Sequence, residues 1–98
     1  MPATLLKPDN TRNDIDPPIE LERILSLLET NTINIIDGLF QGEHAQLIVD
    51  ENHIFSGRSL NVTAVKVRDE IYIADGKAPP PDPINGDAIL LTGPDRLP

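Results

Sequence analysis

The chain has 98 residues, 16 acidic and 8 basic, with a formal net charge of -8 at pH 7 and no cysteine. A chain of this length forms one domain, its charge repels the phosphates of nucleic acids and anionic lipids, and the lack of cysteine excludes disulfides and thiolate metal sites. We therefore expect no nucleic acid and no membrane among its partners. Because no apolar run approaches the roughly 18 residues of a membrane span, we also expect a soluble protein that no signal peptide exports.

The ten prolines crowd both ends of the chain and leave residues 19–78 free of proline. Proline lacks a backbone N–H and so interrupts helices and central strands. The prolines therefore predict an extended N-terminal arm over residues 1–16, a single small α+β domain over 17–93, a proline-rich crossing over 78–83 and a tail over 94–98. The arm is either a disordered tail or a segment docked on a neighbouring subunit.

The first predicted element of the domain is an amphipathic helix over about residues 17–29. Asp16 is a favourable N-cap, and Pro17 is a favourable first helical residue. Four apolar residues then recur at the spacing of one helix face: Leu21, Ile24, Leu25 and Leu28. Residues 31–40 have two interpretations. One continues the leucine spacing as a short coiled coil, and the other, which the composition favours, is a strand over residues 33–36 that ends in a turn.

Residues 33–92 are rich in β-branched residues and turns, and we expect them to form the sheet. Strands are predicted at residues 45–49 and 54–55. Residues 60–76 are predicted to be a hairpin around which the domain is organised, because two short arms alternate apolar and polar residues about a polar turn. The predicted fold class is α+β, with one N-terminal amphipathic helix on a small antiparallel β-meander sheet and proline-rich extended arms.

The last predicted strand, residues 88–92, is apolar on both faces. Such a strand lies either at the centre of a sheet or against another chain. Contact with another chain, made together with the apolar pair in the N-terminal arm, predicts a homo-oligomer. The interaction residues predicted on this basis are Leu5, Leu6, Ile89, Leu90 and Leu91.

His44 and His53 are the two imidazoles of the chain, and acidic residues stand close to both. A metal or acid–base site is one interpretation, and solvated turn residues are the other. The second is favoured because the H-E-x-x-H spacing is absent and Ile54 stands where a calcium loop needs an oxygen ligand. We therefore expect no enzyme activity, no cofactor, and no catalytic, cofactor-binding or metal-binding residues.

The stretch Val67 to Gly76 (VRDEIYIADG), followed by the proline-bearing crossing and by residues 86–92 (GDAILLT), resembles small bacteriophage virion structural proteins of the trimeric head-decoration or fibre type. The resemblance covers about 35 residues. It implies a non-enzymatic trimer that docks on a capsid or tail through its N-terminal arm, and it implies a virion location. The helix predicted over residues 17–29 departs from the simplest decoration proteins.

Two functions follow from these observations. The first is a non-enzymatic structural or assembly protein, such as a virion decoration, cement or fibre-type subunit that binds a larger assembly. The alternative is an acidic monomeric inhibitor or accessory protein, located in the cytoplasm, that binds a basic groove on an enzyme. The alternative depends on acidic residues expected at turns, namely Asp50, Glu51, Asp69, Glu70 and Asp75.

Overall fold

The computed structural model describes residues 3–16, 19–55 and 57–97. The elements in this part of the chain are β1 (Ala3–Leu6), β2 (Arg12–Asp14), α1 (Leu21–Leu28), β3 (Ile33–Phe40), β4 (Glu43–Asp50), α2 (Val62–Ala74) and β5 (Ala88–Thr92). Short 3-10 turns lie at His53–Phe55 and Gly93–Asp95. The strands form one antiparallel sheet in the order β2-β1-β5-β4-β3. The predicted α+β class is confirmed.

The sheet is the middle of three layers, with α1 on one face and α2 on the other. Side chains alternate between the two faces along each strand, so the same strands supply both cores. The core under α1 contains Ala3, Ile15, Ile24, Leu28, Ile48, Ile89 and Leu91. The core under α2 contains Leu6, Leu47, Val49, Ala64, Val67, Ile71, Ile84, Ala88 and Leu90, among others. The predicted meander with one helix is therefore wrong, because α1 lies between β2 and β3 in the chain and α2 lies between β4 and β5.

Strand β5 lies in the middle of the sheet, between β1 and β4. All five of its residues are buried. It is apolar on both faces because a helix covers each face, which is the central-strand alternative of the sequence analysis. The chain's own elements thus account for the apolar character of residues 88–92, without a second chain.

The predicted N-terminal arm is a β-hairpin. Strand β1 pairs with both β2 and β5, and Leu6 is fully buried in the core under α2. The turn between the strands is closed by a hydrogen bond from the Lys7 N–H to the Thr11 carbonyl at 3.1 Å, with Asn10 in the left-handed region at φ 70°. The expectation of an extended arm is therefore wrong for residues 3–16. Pairing with β5, which lies more than 80 residues further along the chain, makes this polar segment a strand pair.

Residues 60–76, predicted to be a hairpin, contain helix α2 instead. The side chain of Asn61 caps the helix by accepting a hydrogen bond from the Ala64 N–H at 3.0 Å. The buried face of α2 follows the i, i+3, i+4, i+7 spacing of a helix: Ala64, Val67, Arg68 and Ile71. The resemblance to virion proteins depended on a hairpin in this stretch and loses that support.

Helix α1 is shorter than the helix predicted over residues 17–29. It begins at Leu21 after an N-cap at Glu20 that makes no side-chain capping bond, so Asp16 is not its cap. Pro17 lies outside the described residues. Residues 33–40 form a single strand, which excludes the coiled coil and shows that the expected turn at Asp37 is part of β3.

The predicted return strand at residues 54–55 lies in a 3-10 turn, where the Phe55 side chain is 86% exposed. The tail is anchored to the sheet. Leu97 donates its N–H to the side-chain oxygen of Gln46 at 2.7 Å, and its carbonyl accepts from the Gln46 amide at 3.1 Å. Residues 93–97 therefore contribute to the layer that contains α1.

Gly38 on β3 lies directly against α2, and its replacement by alanine is expected to destabilise the fold by about 1–3 kcal/mol. A Cβ at this position would lie 2.7 Å from Cγ2 of Ile71. A β-branched side chain in a helix has one strongly preferred rotamer, so Ile71 cannot easily turn away. Urea denaturation measures the loss. Adding Ile71→Leu, which lacks Cγ2, should recover most of it, whereas simple addition of the two single effects would contradict this contact.

Candidate interaction surface at the free edge of β3

Strand β3 forms one edge of the sheet. It is joined to β4 by a two-residue loop in which Gln41 has φ 52° and Gly42 has φ 82°, the signature of a type I′ turn. In such a hairpin Phe40 and Glu43 form a hydrogen-bonded pair, and hydrogen-bonded pairs then alternate along the ladder. The backbone N–H and C=O groups that point away from β4 are therefore those of residues 33, 35, 37 and 39.

The side chains of these four residues lie on the α1 face of the sheet. Ile33 packs against the core under α1, but Ile35 is 40% exposed and Leu39 is 41% exposed. Asp37 stands between them, is exposed, and has no hydrogen bond or ion pair within the described part of the chain. The edge thus combines unpaired backbone groups, two partly uncovered apolar side chains and one free carboxylate.

On the opposite face a groove of about 240 Å³ runs between β3 and the C-terminal half of α2. It is lined by Asn34, Ile35, Ile36, Asp37, Ile71, Tyr72, Asp75 and Lys77. Two of its lining residues are linked by an ion pair, in which Lys77 Nζ lies 3.0 Å from Asp75 Oδ2 and the side chains are 68% and 61% exposed. An exposed pair of this kind contributes only about 0–1 kcal/mol, so both groups can exchange partners.

A larger cavity of about 720 Å³ opens on the α2 face at the end of the sheet that α2 does not reach. Its polar rim includes Arg12, Asp14 and Glu43, and Phe40 and Leu90 contribute apolar surface. The rim carries charges of both signs on exposed side chains, so it does not select one class of ligand. The outward backbone groups of β3 fit an extended segment, so we take the β3 edge as the candidate site.

The interaction residues predicted from the sequence lie elsewhere. Leu6, Ile89 and Leu91 are fully buried in the chain's own two cores, and Leu90 is 7% exposed. Leu5 is partly buried against the core under α1. None of the five residues belongs to β3, so the predicted set and the candidate surface do not overlap.

The two histidines are not brought together. His44 lies at the start of β4 and His53 lies beyond its end, so at about 3.3 Å per residue roughly 20 Å of strand separates them. Within the described ranges no group of three or more His, Cys, Asp and Glu side chains is arranged to hold a metal ion. Neither helix in the described part has the length and apolar character needed to cross a membrane.

His53 is expected to make stability fall at mildly acidic pH. Its Nδ1 accepts a hydrogen bond from the Asn85 N–H at 3.2 Å, and its partial burial, together with the nearby Arg68, lowers its pKa below 6.5, although Asp50 and Asp82 oppose the shift. The unfolded chain then binds the proton more readily than the folded one, so stability falls as pH drops below about 6.5 and until the folded pKa is passed. Urea unfolding at pH 7.5 and 5.5 measures the effect.

The matched variant for this effect is His53→Asn, whose side-chain oxygen can accept the same bond and does not titrate. It should lose less stability than the wild type between these two pH values. Equal losses in the two proteins would show that His53 is not responsible.

Sequence reasoning missed the candidate surface because it divided residues 33–40 between a strand and a turn. One feature of the sequence bears on the result: apolar residues occur at both odd and even positions, as Ile33, Ile35 and Ile36 show. That pattern is typical of a strand with contacts on both faces. The pattern does not indicate that the strand lies at the edge of the sheet.

Comparison of the chain with protein-family models, with curated proteins and with solved structures gives no match.

Proposed function

We propose that this protein works by binding another protein, and that it does so by adding an extended segment of that protein to the free edge of β3. The observation that supports this proposal is the edge itself: eight residues long, with outward backbone groups at four positions and with Ile35 and Leu39 each about 40% exposed. Strand addition at such an edge uses main-chain hydrogen bonds for affinity and alternate side chains for specificity.

The proposal places the protein in the expected class of non-enzymatic assembly proteins but changes the attachment point. Residues 3–16 pair within the chain's own sheet, so the proposal does not use an N-terminal arm for docking. A virion location is not part of the proposal, because the stretch that carried the resemblance is helix α2. The acids on which the inhibitor alternative depended are scattered among β4, the turn after it, α2 and the end of α2.

A second copy of the chain fits the edge less well than a foreign segment. Pairing two β3 strands antiparallel about their middle brings the two Asp37 carboxylates close together, and each chain carries a formal charge of -8. Like charges at a sheet edge are a common device against edge-to-edge association. The trimer expected from the sequence therefore has no support in β3.

The proposal is tested with Asp37→Pro. The Asp37 N–H points to the free edge, so proline removes a donor for the partner and leaves the pairing with β4 intact. Asp37→Ala is the matched control, because it removes the same side chain and keeps the N–H. Random peptides long enough to span β3 are displayed, selected on the wild-type chain and compared by affinity on the two variants, with amide exchange followed in the complex.

The expected result is that selected peptides protect the amides of residues 33, 35, 37 and 39, and that Asp37→Pro weakens them about tenfold or more relative to Asp37→Ala. Three results would overturn the proposal: no selected peptides, peptides that protect other amides, or peptides that bind the two variants equally. Light scattering is measured in parallel. A closed oligomer that Asp37→Pro disrupts would show that the edge binds a second copy of the chain and not a foreign segment.

A further inference from the structure

The two faces of an added strand meet different surroundings at the β3 edge. A strand paired with β3 lies about 4.8 Å beyond it, and its successive side chains point to opposite faces of the sheet. On the α2 face they enter the groove beside Ile36, Ile71 and Tyr72. On the α1 face they lie alongside Ile35, Asp37 and Leu39. Each face therefore offers apolar contacts and, in addition, one carboxylate.

The carboxylate on the α1 face is Asp37, which has no partner in the described part of the chain. The carboxylate at the groove is Asp75, whose one ion-pair partner among the described residues is the exposed Lys77. Asp37 is a charge in the middle of an otherwise apolar edge. It repels acidic segments and second copies of this chain, and it attracts a cation that lies opposite it in the ladder.

Long-range electrostatics favour the same partner. The β3 edge and the groove together carry two carboxylates, Asp37 and Asp75, and one ammonium group, Lys77, and the whole chain has a net charge of -8. Such a field raises the association rate of basic partners and lowers that of acidic ones. The carboxylates at the β3 edge and the net charge of the whole chain therefore both favour a positively charged partner.

We infer that the segment bound at β3 is a basic and apolar extended peptide in which Lys or Arg residues occupy positions of opposite parity, one facing Asp37 and one facing Asp75, with apolar side chains beside Ile35, Leu39 and Tyr72. This inference rests on the proposed function, because it describes the occupant of the same edge. A segment whose Lys and Arg side chains all lie on one face of the strand would contact only one of the two carboxylates.

The inference is tested on the peptides selected above. Their sequences should be enriched in Lys and Arg at both odd and even positions of the paired register. Asp37→Asn and Asp75→Asn should each weaken the best basic peptide by about two- to fivefold, and the double variant by roughly the product, with a smaller dependence on salt. Asp37→Asn keeps the backbone N–H, so strand pairing itself is not disturbed.

The matched control is Glu51→Gln, which removes one exposed negative charge in the turn after β4, away from the groove lining. It should leave the affinity unchanged. Peptides that depend on the β3 edge but show no basic enrichment and no response to either Asn variant would overturn the inference while the proposed function stands. An equal weakening by Glu51→Gln would overturn it too, because attraction would then be non-specific. Binding that survives Asp37→Pro would overturn both.

Discussion

Replacing Asn61 by alanine is expected to lower the free energy of unfolding by about 3 kcal/mol. The side chain is fully buried and makes three hydrogen bonds. Its oxygen accepts from the Ala64 N–H at 3.0 Å, and its amide donates to the Leu6 carbonyl at 3.0 Å and to the Gly86 carbonyl at 2.9 Å. Loss of an N-cap costs about 1 kcal/mol, and each buried group left without its partner costs about 1–3 kcal/mol.

The reason for so large an effect is that Asn61 joins three parts of the fold. It begins α2, it holds β1, and it holds the turn before β5. Asn61→Ser separates these roles, because its hydroxyl can cap the helix but is too short to reach both carbonyls. We expect the serine variant to recover about 1 kcal/mol of the loss. Urea denaturation of the three proteins measures the differences, and an alanine variant as stable as the wild type would refute the role of Asn61.

Replacing Arg68 by methionine is expected to destabilise the chain by about 3 kcal/mol or more and to release the proline-rich loop. Arg68 is 5% exposed and lies on the buried face of α2. Its guanidinium donates to the Asp82 carbonyl at 2.6 Å, to the Pro80 carbonyl at 3.0 Å, and to the Asp69 carboxylate at 3.2 Å. Hydrogen bonds from a charged donor contribute about 1.5–3 kcal/mol each.

Methionine retains most of the apolar stem, so its effect reports the lost hydrogen bonds more than lost packing. Arg68→Lys should recover only part of the stability, because one ammonium group cannot replace a planar fork that reaches two carbonyls. Lys66→Met is the matched control on the same helix, and we expect no change since Lys66 is exposed. Denaturation gives the global loss, and trypsin cleavage after Lys77, at the start of the loop, reports its release. Unchanged proteolysis would show that Arg68 does not hold the loop.

The candidate surface depends on the order of the strands. Whether residues 33–40 are central or at an edge is decided by which strands pair with them, and those partners are not neighbours that the local pattern specifies. The same applies to the groove, since Tyr72 and Asp75 reach β3 only because residues 60–76 are a helix that crosses the sheet. If these residues formed a hairpin, the surface beside β3 would be lined by different residues.

The sequence left open what covers residues 88–92, and it placed Leu21 on the buried stripe of α1, although Leu21 is 49% exposed and only Ile24 and Leu28 are buried. By itself it determined the α+β class of the domain and the strand at residues 88–92, because the pattern there has one interpretation as secondary structure. Residues 60–76 have two, since Val65, Val67, Ile71 and Ile73 alternate like a strand while Ala64, Val67, Arg68 and Ile71 follow a helix. Only the tertiary structure decided between them, through contacts of Asn61 and Ile71 with residues distant in the chain. Residues 3–16 are strands for the same reason: the hydrogen bonds between β1 and β5 outweigh the local preference of a polar segment.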